Sequence, residues 1–276
     1  MIARGGVSVR LFRAIGVAAA SILLVSAAMA EEIKLGGTGN ALGTMRLLGE
    51  AFSKNNPDIK VIVLNSLGSS GAIKAVPKGA IDIGLTSRVL TDEERATGIK
   101  DVEYARSPTV LAVHAKSKAI ALTHDQLADI YTGKRASWPD GSVIRPIMRQ
   151  PGDDNTRQIR DISPALEKAL VAAEQRPGLA FATTDQEAAD RMESTPGAVG
   201  VTTLALINSE GRQLRPLILE GVEPNVKNAS SGKYPLVKKF FFITKPTPSM
   251  AAQQFMSFVG TPTGREILTQ TGHWVP

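Results

Sequence analysis

The sequence predicts an α/β protein in which a parallel, helix-covered sheet carries a second lobe inserted between two extended crossings. Three observations lead there. Apolar, strand-like runs alternate with helical patterns from Ile33 to Leu85 in a β-α-β-α-β series, which favours a parallel sheet. Two apolar connections, around 109–114 and 240–244, bracket a middle segment that has strands and helices of its own. The 276-residue chain has no cysteine, so its stability comes from core burial, and thiol catalysis and cysteine metal sites are excluded.

The beginning of the chain is not part of that fold. Arg4, Arg10 and Arg13 precede an unbroken small and apolar run that starts at Ala14 and ends in Ala28-Met29-Ala30. A basic start, a short apolar stretch and an A-x-A end describe a secretory signal peptide cleaved after Ala30. The competing reading is an uncleaved membrane anchor, for which the run is short. Removing residues 1–30 takes away three arginines and no acid, so the formal net charge falls from +6 to +3. A mildly basic chain with no basic run and no RNA-binding aromatic motif gives no argument for nucleic acid. A second long apolar segment is absent, so the mature protein is expected to be soluble.

In order, a strand at 33–35 enters Gly36-Gly37-Thr38-Gly39-Asn40, and the helical pattern Leu42, Met45, Leu48, Phe52 makes Asn40 the expected N-cap. A turn at 55–58 leads to a second strand at 61–64. Gly68-Ser69-Ser70-Gly71 then opens a short helix, and a third strand at 81–85 ends in Thr86-Ser87-Arg88. Thr91 with Glu94 reads as a capped, acidic helix start. Extended runs are expected at 102–106 and 108–114, a helix from about Thr123, a strand at 143–148, and helical patterns over 156–174 and 186–194. Short strands at 197–201 and 214–219, the apolar run 238–244 and two closing helices complete the chain.

A strand, a Gly/Ser loop at a helix start and a polar strand tip together make a cradle for an anion, because the loop's free N–H groups and the helix dipole point into the turn. The plainer reading is a structural βα connection. Other motifs fall short. His114, His124 and His273 lack metal-ligand spacing. Gly37-x-Gly39-x-x-x-Gly43 is one residue too long for a dinucleotide fingerprint. Ser69, Ser70 and Ser87 have no identifiable His/Asp partner for a hydrolase triad.

Laid side by side, GGTGNALGTM, LGSSGAIKAV, DIGLTSRVLTDEE, RSPTVLAVHAKS, QLADIYTGKRASWPDG, RQPGDDNTRQI, YPLVKKFFFI and GREILTQTGHWVP resemble, in order and spacing, the substrate-binding proteins of phosphate ABC transporters. The resemblance extends over essentially the whole mature chain. It implies a two-lobed periplasmic-binding-protein fold, type II-like, that closes on a dehydrated oxyanion held by N–H groups, hydroxyls and one arginine. Carried over by position, it points to Asn40 and the Ala41 N–H, to Ser69 and Ser70, to Ser87, and to Arg149 with Asn155 and Thr156. Arg149 is the strongest candidate, since a planar guanidinium holds two oxygens at once; its alternative is an ion pair with Asp153. Arg88 either faces the cleft or bridges the lobes.

Two departures stand out. Ser87 occupies the strand tip where well-known phosphate binders have an acid, although some relatives carry Ser-Ser-Arg there. The segment after Arg149 fits only with one residue inserted. Asp154, or Asp153, is therefore a candidate for the acceptor missing at Ser87; alternatively both acids only favour the positive end of the next helix.

The resemblance implies lobe 1 over 31–112 and 238–276 and lobe 2 over 113–237, with the ligand cleft between them. It implies a non-enzymatic, cofactor-free periplasmic monomer that delivers phosphate or a similar tetrahedral oxyanion to an ABC permease in the inner membrane. A ligand-sensing adaptor for a membrane signalling partner is the alternative, and an exported phosphate-ester hydrolase a distant one.

Overall fold

The computed structural model describes residues 1–2 and 30–276, so the expected leader, apart from its ends, lies outside the described residues. Among the described residues no helix is long and apolar enough to cross a membrane. The first half-sheet grows as the alternation requires. β1 (Glu31–Gly37), α1 (Gly39–Asn55), β2 (Ile59–Val63), α2 (Gly68–Ala75) and β3 (Ile83–Thr86) follow one another, and β1 pairs in parallel with both β2 and β3. Parallel neighbours need a crossover, and the two helices provide it. α3 (Asp92–Ala96) follows with a complete capping box between Thr91 and Glu94.

β4 (Lys100–His114) is one uninterrupted strand, about 50 Å long at the usual rise per residue. The extended region expected over 102–106 and 108–114 is this one strand, with Ser107 inside it. The strand continues because Pro108, which brings no N–H to a ladder, sits where β4 changes partners. Before that point it pairs with β11, through Pro108 opposite Val237, and from Thr109 onward with β8.

The middle segment then runs β5 (Ala121–Leu122), α4 (His124–Thr132), β6 (Arg145–Arg149), α5 (Asp154–Arg160), α6 (Pro164–Glu174), β7 (Ala180–Ala182), α7 (Asp185–Ser194), β8 (Ala198–Thr203), α8 (Leu204–Ser209), β9 (Leu214–Pro216), β10 (Ile218–Leu219) and α9 (Val226–Ser230). The chain returns through β11 (Val237–Thr244) and ends in α10 (Met250–Val259) and α11 (Pro262–Gln270). Among the described residues the large sheet has the order β2-β1-β3-β11-β4-β8-β6-β7, with β9 also on β4 and a separate β10-β5 pair. The single helical pattern expected over 156–174 is two helices. Pro164 lacks the N–H that a continuing helix needs, and Ser163 caps the new start by accepting from Leu166 N at 3.2 Å.

The continuous apolar runs of β4 and β11 follow from burial of both faces. On β4, Leu111 and Val113 enter one core with Tyr131, Met148 and Leu170, while Val110 and Ala112 enter another with Ala188, Met192 and Leu206. On β11, Phe240 and Phe242 pack with Met45, Phe52 and Phe255, while Phe241 and Ile243 meet Ile73 and Val76. The two-lobed architecture is thus one long ladder with a helical layer on each side of each half.

His273 is buried at 1% exposure, against the Phe240 ring, with Nδ1 3.0 Å from Thr271 Oγ1. Burial pushes its pKa down to about 4, against a hydrogen bond with the Leu268 backbone that raises it. In the unfolded chain the imidazole titrates near its ordinary value, so the unfolded state takes up the proton first as pH falls. Stability contributed by neutral His273 is therefore full above about pH 6.5 and declines down to about pH 4, by about 3 kcal/mol in total. Urea midpoints measured across that range are expected to fall less steeply in His273→Gln than in the wild type.

Candidate oxyanion site

The two lobes face each other across a cleft of about 750 Å³. One wall comes from the turn at Thr38 and Asn40, the stretch 66–70 and the segment 87–91. The other comes from Arg149, residues 152–155, Arg157 and residues 183–185, and Lys238 of β11 lies between them.

The first wall is tied together by its own hydroxyls. Ser69 Oγ, in the first turn of α2, accepts from Ser87 N at 3.1 Å and lies 3.2 Å from Ser87 Oγ. Gly68 takes a left-handed φ of 66°, which an L side chain rarely adopts, to start that helix. An α-helix leaves its first N–H groups without intrahelical carbonyls, and in α2 these belong to Ser69 and Ser70, both on the cleft wall.

α1 starts differently from the expectation. Its N-cap is Thr38, without a side-chain bond, and Asn40 lies inside the first turn. The Asn40 N–H instead donates across the cleft to Asp185 Oδ2 at 3.2 Å, and its Oδ1 accepts from Thr203 Oγ1 at 2.8 Å. Ala41 is buried, donates its N–H to the Thr38 carbonyl and does not line the cleft.

On the second wall, Arg149 ends β6 at 7% exposure. Its Nη2 donates to Asp153 Oδ2 at 2.7 Å and lies 3.4 Å from Asp185 Oδ1, and Nη1 reaches the Ala182 carbonyl at 3.3 Å. Arg149 Nε is buried and has no hydrogen-bond partner among the described residues. Asp153 is the N-cap of α5, accepting from Asn155 N at 3.0 Å. Asp154 pairs with Lys238 and accepts from Gln158 at 3.1 Å. Asn155 Nδ2 donates to Asp185 Oδ1 at 3.1 Å. Thr156 turns away from the cleft, beside Tyr131 and Met148. Arg88 lines the cleft, but its guanidinium holds Glu94 of the same lobe through two 2.7 Å bonds rather than bridging the lobes.

Every cation on the walls is already paired. Arg149 serves Asp153 and Asp185, Lys238 and Arg157 serve Asp154, and Arg88 serves Glu94. Hydrogen bonding from Arg88 holds Glu94 down at about 2. Burial pushes Asp154 up, but Lys238 and then Arg157 outweigh it and its pKa lies below the usual carboxylate range. Asp185 goes the other way: burial raises it, and Arg149 only partly compensates. Among the described residues no group of three or more His, Cys, Asp or Glu is placed to hold a metal ion.

Of the residues expected from sequence, the cleft gathers Asn40, Ser69, Ser70, Ser87, Arg149, Asp154 and Asn155. Sequence reasoning passed over Asp185 and Lys238. Thr184-x-x-Glu187 is a helix-start pattern, and Thr184 Oγ1 does accept from Glu187 N at 3.0 Å. That pattern marks the start of α7 but carries nothing about its position opposite Asn40.

A family model described as a PBP superfamily domain matches residues 25–262. The chain is 27% identical over 218 residues to the phosphate-binding protein PstS of Bacillus subtilis (strain 168), covering 76% of this chain and 69% of that one. A Clostridium perfringens structure, described as a phosphate ABC transporter substrate-binding protein with bound phosphate, superimposes with a TM-score of 0.76 at 23% identity, over 89% of this chain and 100% of that one. The periplasmic molybdate-binding protein of Azotobacter vinelandii gives a TM-score of 0.63 at 16% identity, over 88% and 99% of the two chains. At these identities the two structures establish the fold.

Proposed function

The chain belongs to the PBP superfamily, and from that membership we propose that it is an exported solute-binding protein which captures inorganic phosphate for an ABC importer. One observation carries the reading: helix-start groups and hydroxyls from one lobe, Asn40, Ser69, Ser70 and Ser87, share a cleft with Arg149 and Asn155 from the other. The named relative, a phosphate-binding protein, favours phosphate among tetrahedral oxyanions.

The mechanism is equilibrium binding without covalent chemistry. Approach of the lobes brings the hydroxyls of Ser69 and Ser87 and the Arg149 guanidinium onto one anion, replacing its water with fixed dipoles and charge-assisted hydrogen bonds. The anion competes with Asp153 and Asp185 for Arg149, so binding includes an exchange of partners at that guanidinium. The Ser69 hydroxyl bonds Ser87 and not an imidazole or carboxylate, which leaves it without the base that a nucleophile needs. Delivery to an inner-membrane permease from the periplasm, by a monomer, completes the proposal.

A thermal-shift screen of phosphate, sulfate, molybdate and organic phosphates tests it. At about 100 times its dissociation constant, phosphate adds about 2.7 kcal/mol by mass action. That corresponds to a rise in Tm of about 5–10 °C for a chain of this size. No response to any oxyanion would overturn the proposal.

A further inference from the structure

We propose that the cleft also takes phosphate monoesters, with the phosphate on the groups named above and the organic part in a side chamber beyond β11. The inference rests on the phosphate reading and names a wider ligand class for the same site.

The chamber exists because a strand stops short. β3 ends at Thr86, which pairs with Phe241 of β11. Residues 237–240 of β11 pair with β4 alone, so on its other side this stretch has no neighbouring strand. Side chains alternate along a strand, and the two faces of the stretch meet different spaces. Lys238 lines the anion cleft, while Val237, Lys239 and Phe241 line a second cavity of about 640 Å³. The two cavities share Ser87, Arg88, Val89 and Asp154 as wall residues, so they adjoin at the strand tip.

The polar side chains at that junction are held in place. Ser87 is a short hydroxyl engaged with Ser69, Arg88 is drawn onto Glu94, and Asp154 is held by Lys238 and Gln158. Beyond the junction the chemistry changes. Val89, Ile162, Pro235, Leu236, Val237 and Phe241 make the chamber wall apolar. Gln158, also on this wall, donates its amide N–H to Asp154. Lys239 and Asp161 are exposed, on the solvent side, and His124 lies beside Glu220.

An inorganic phosphate turns an oxygen to every side. A charged oxygen against the apolar wall loses water there and gains no donor. An ester turns carbon to that side instead. Its bridging oxygen carries no charge, and its organic group covers apolar surface such as Val89, which is 54% exposed. The other oxygens keep the hydroxyls of Ser69 and Ser87 and the Arg149 guanidinium. A cavity of this size lies within the range that small organic ligands fill. The ligand class is therefore a phosphate monoester with a compact, mainly apolar group.

Calorimetry of inorganic phosphate and phenyl phosphate on the full mature chain tests the idea. The wild type is expected to bind both, phosphate is expected to displace the ester, and the ester should show the more negative heat-capacity change, the mark of buried apolar surface. Ile162 lines the chamber and not the cleft. In Ile162→Asn the ring would strip water from an amide, so phenyl phosphate affinity should fall about tenfold with inorganic phosphate unchanged. Phenyl phosphate that fails to bind while phosphate saturates the protein overturns the inference and leaves phosphate capture intact. Ester binding that phosphate does not displace overturns it too, as does an unchanged ester affinity in an Ile162→Asn protein that melts as a folded chain. Should that variant fail to fold, the wild-type heat capacities decide, and equal values for the two ligands overturn the inference. Binding of neither ligand by the wild type removes the phosphate reading and this inference with it.

Discussion

Arg149→Lys is expected to weaken phosphate binding roughly 10- to 100-fold while leaving the protein folded. The magnitude follows from losing one charge-assisted hydrogen bond, worth about 1.5–3 kcal/mol. Lysine keeps the positive charge that Asp153 and Asp185 require but presents a point charge in place of the planar fork. Arg149→Ala is the less informative change. It leaves two carboxylates, 19% and 7% exposed, without their cation, and about 3–5 kcal/mol of stability goes with it. Titration calorimetry on Arg149→Lys, with a melting curve as the control, separates the two effects. Wild-type affinity in that variant would remove Arg149 from the binding groups.

The second large effect concerns Lys238. Its side chain is 1% exposed, and Nζ pairs with Asp154 at the start of α5. Removing the cation alone strands a carboxylate that is only 20% exposed, with Arg157 at 3.7 Å as its remaining charge partner. Lys238→Met is therefore expected to lower stability by about 3 kcal/mol, towards the lower end of what a broken buried pair costs because Arg157 remains. The double variant Lys238→Met/Asp154→Leu should recover most of that loss, since replacing both members of a buried pair with apolar groups is often nearly neutral. Urea midpoints of the two single variants and the double form the cycle. A double variant as unstable as the sum of the singles would show that the pair is not a unit.

Much of this architecture can be read from the chain because strands and helices covered on both faces leave strong patterns. The continuous apolar runs of β4 and β11, and the β-α-β-α-β opening, are of this kind. The capping box at Thr91 is local chemistry and was equally plain. The walls of the cleft were less legible, for two physical reasons. Helical rotation advances about 100° per residue, so a one-residue difference in where a helix begins decides which side chains face the ligand. Asp153 caps α5, and so Asn155 points to the cleft while Thr156 turns into the lobe-2 core. Thr38 in the N-cap position likewise moves Asn40 from the cap into the first turn.

The second reason is separation along the chain. Asp185 meets Asn40 across 145 residues and Lys238 meets Asp154 across 84. No spacing rule connects such pairs: the meeting of α1 with α7 makes the first, and the return of β11 beside β4 the second. In the sequence Lys238 is one of two adjacent lysines before an apolar run, and nothing local distinguishes it from Lys239. The sheet does: Lys238 is buried and its neighbour is exposed.

A crystal structure of the mature chain grown with phosphate tests this description most directly. It should show one tetrahedral anion in the cleft, with oxygens within hydrogen-bond distance of the Arg149 guanidinium and the hydroxyls of Ser69 and Ser87. Arg149 still bound to both Asp153 and Asp185, with the anion absent or held elsewhere at saturating phosphate, would contradict it.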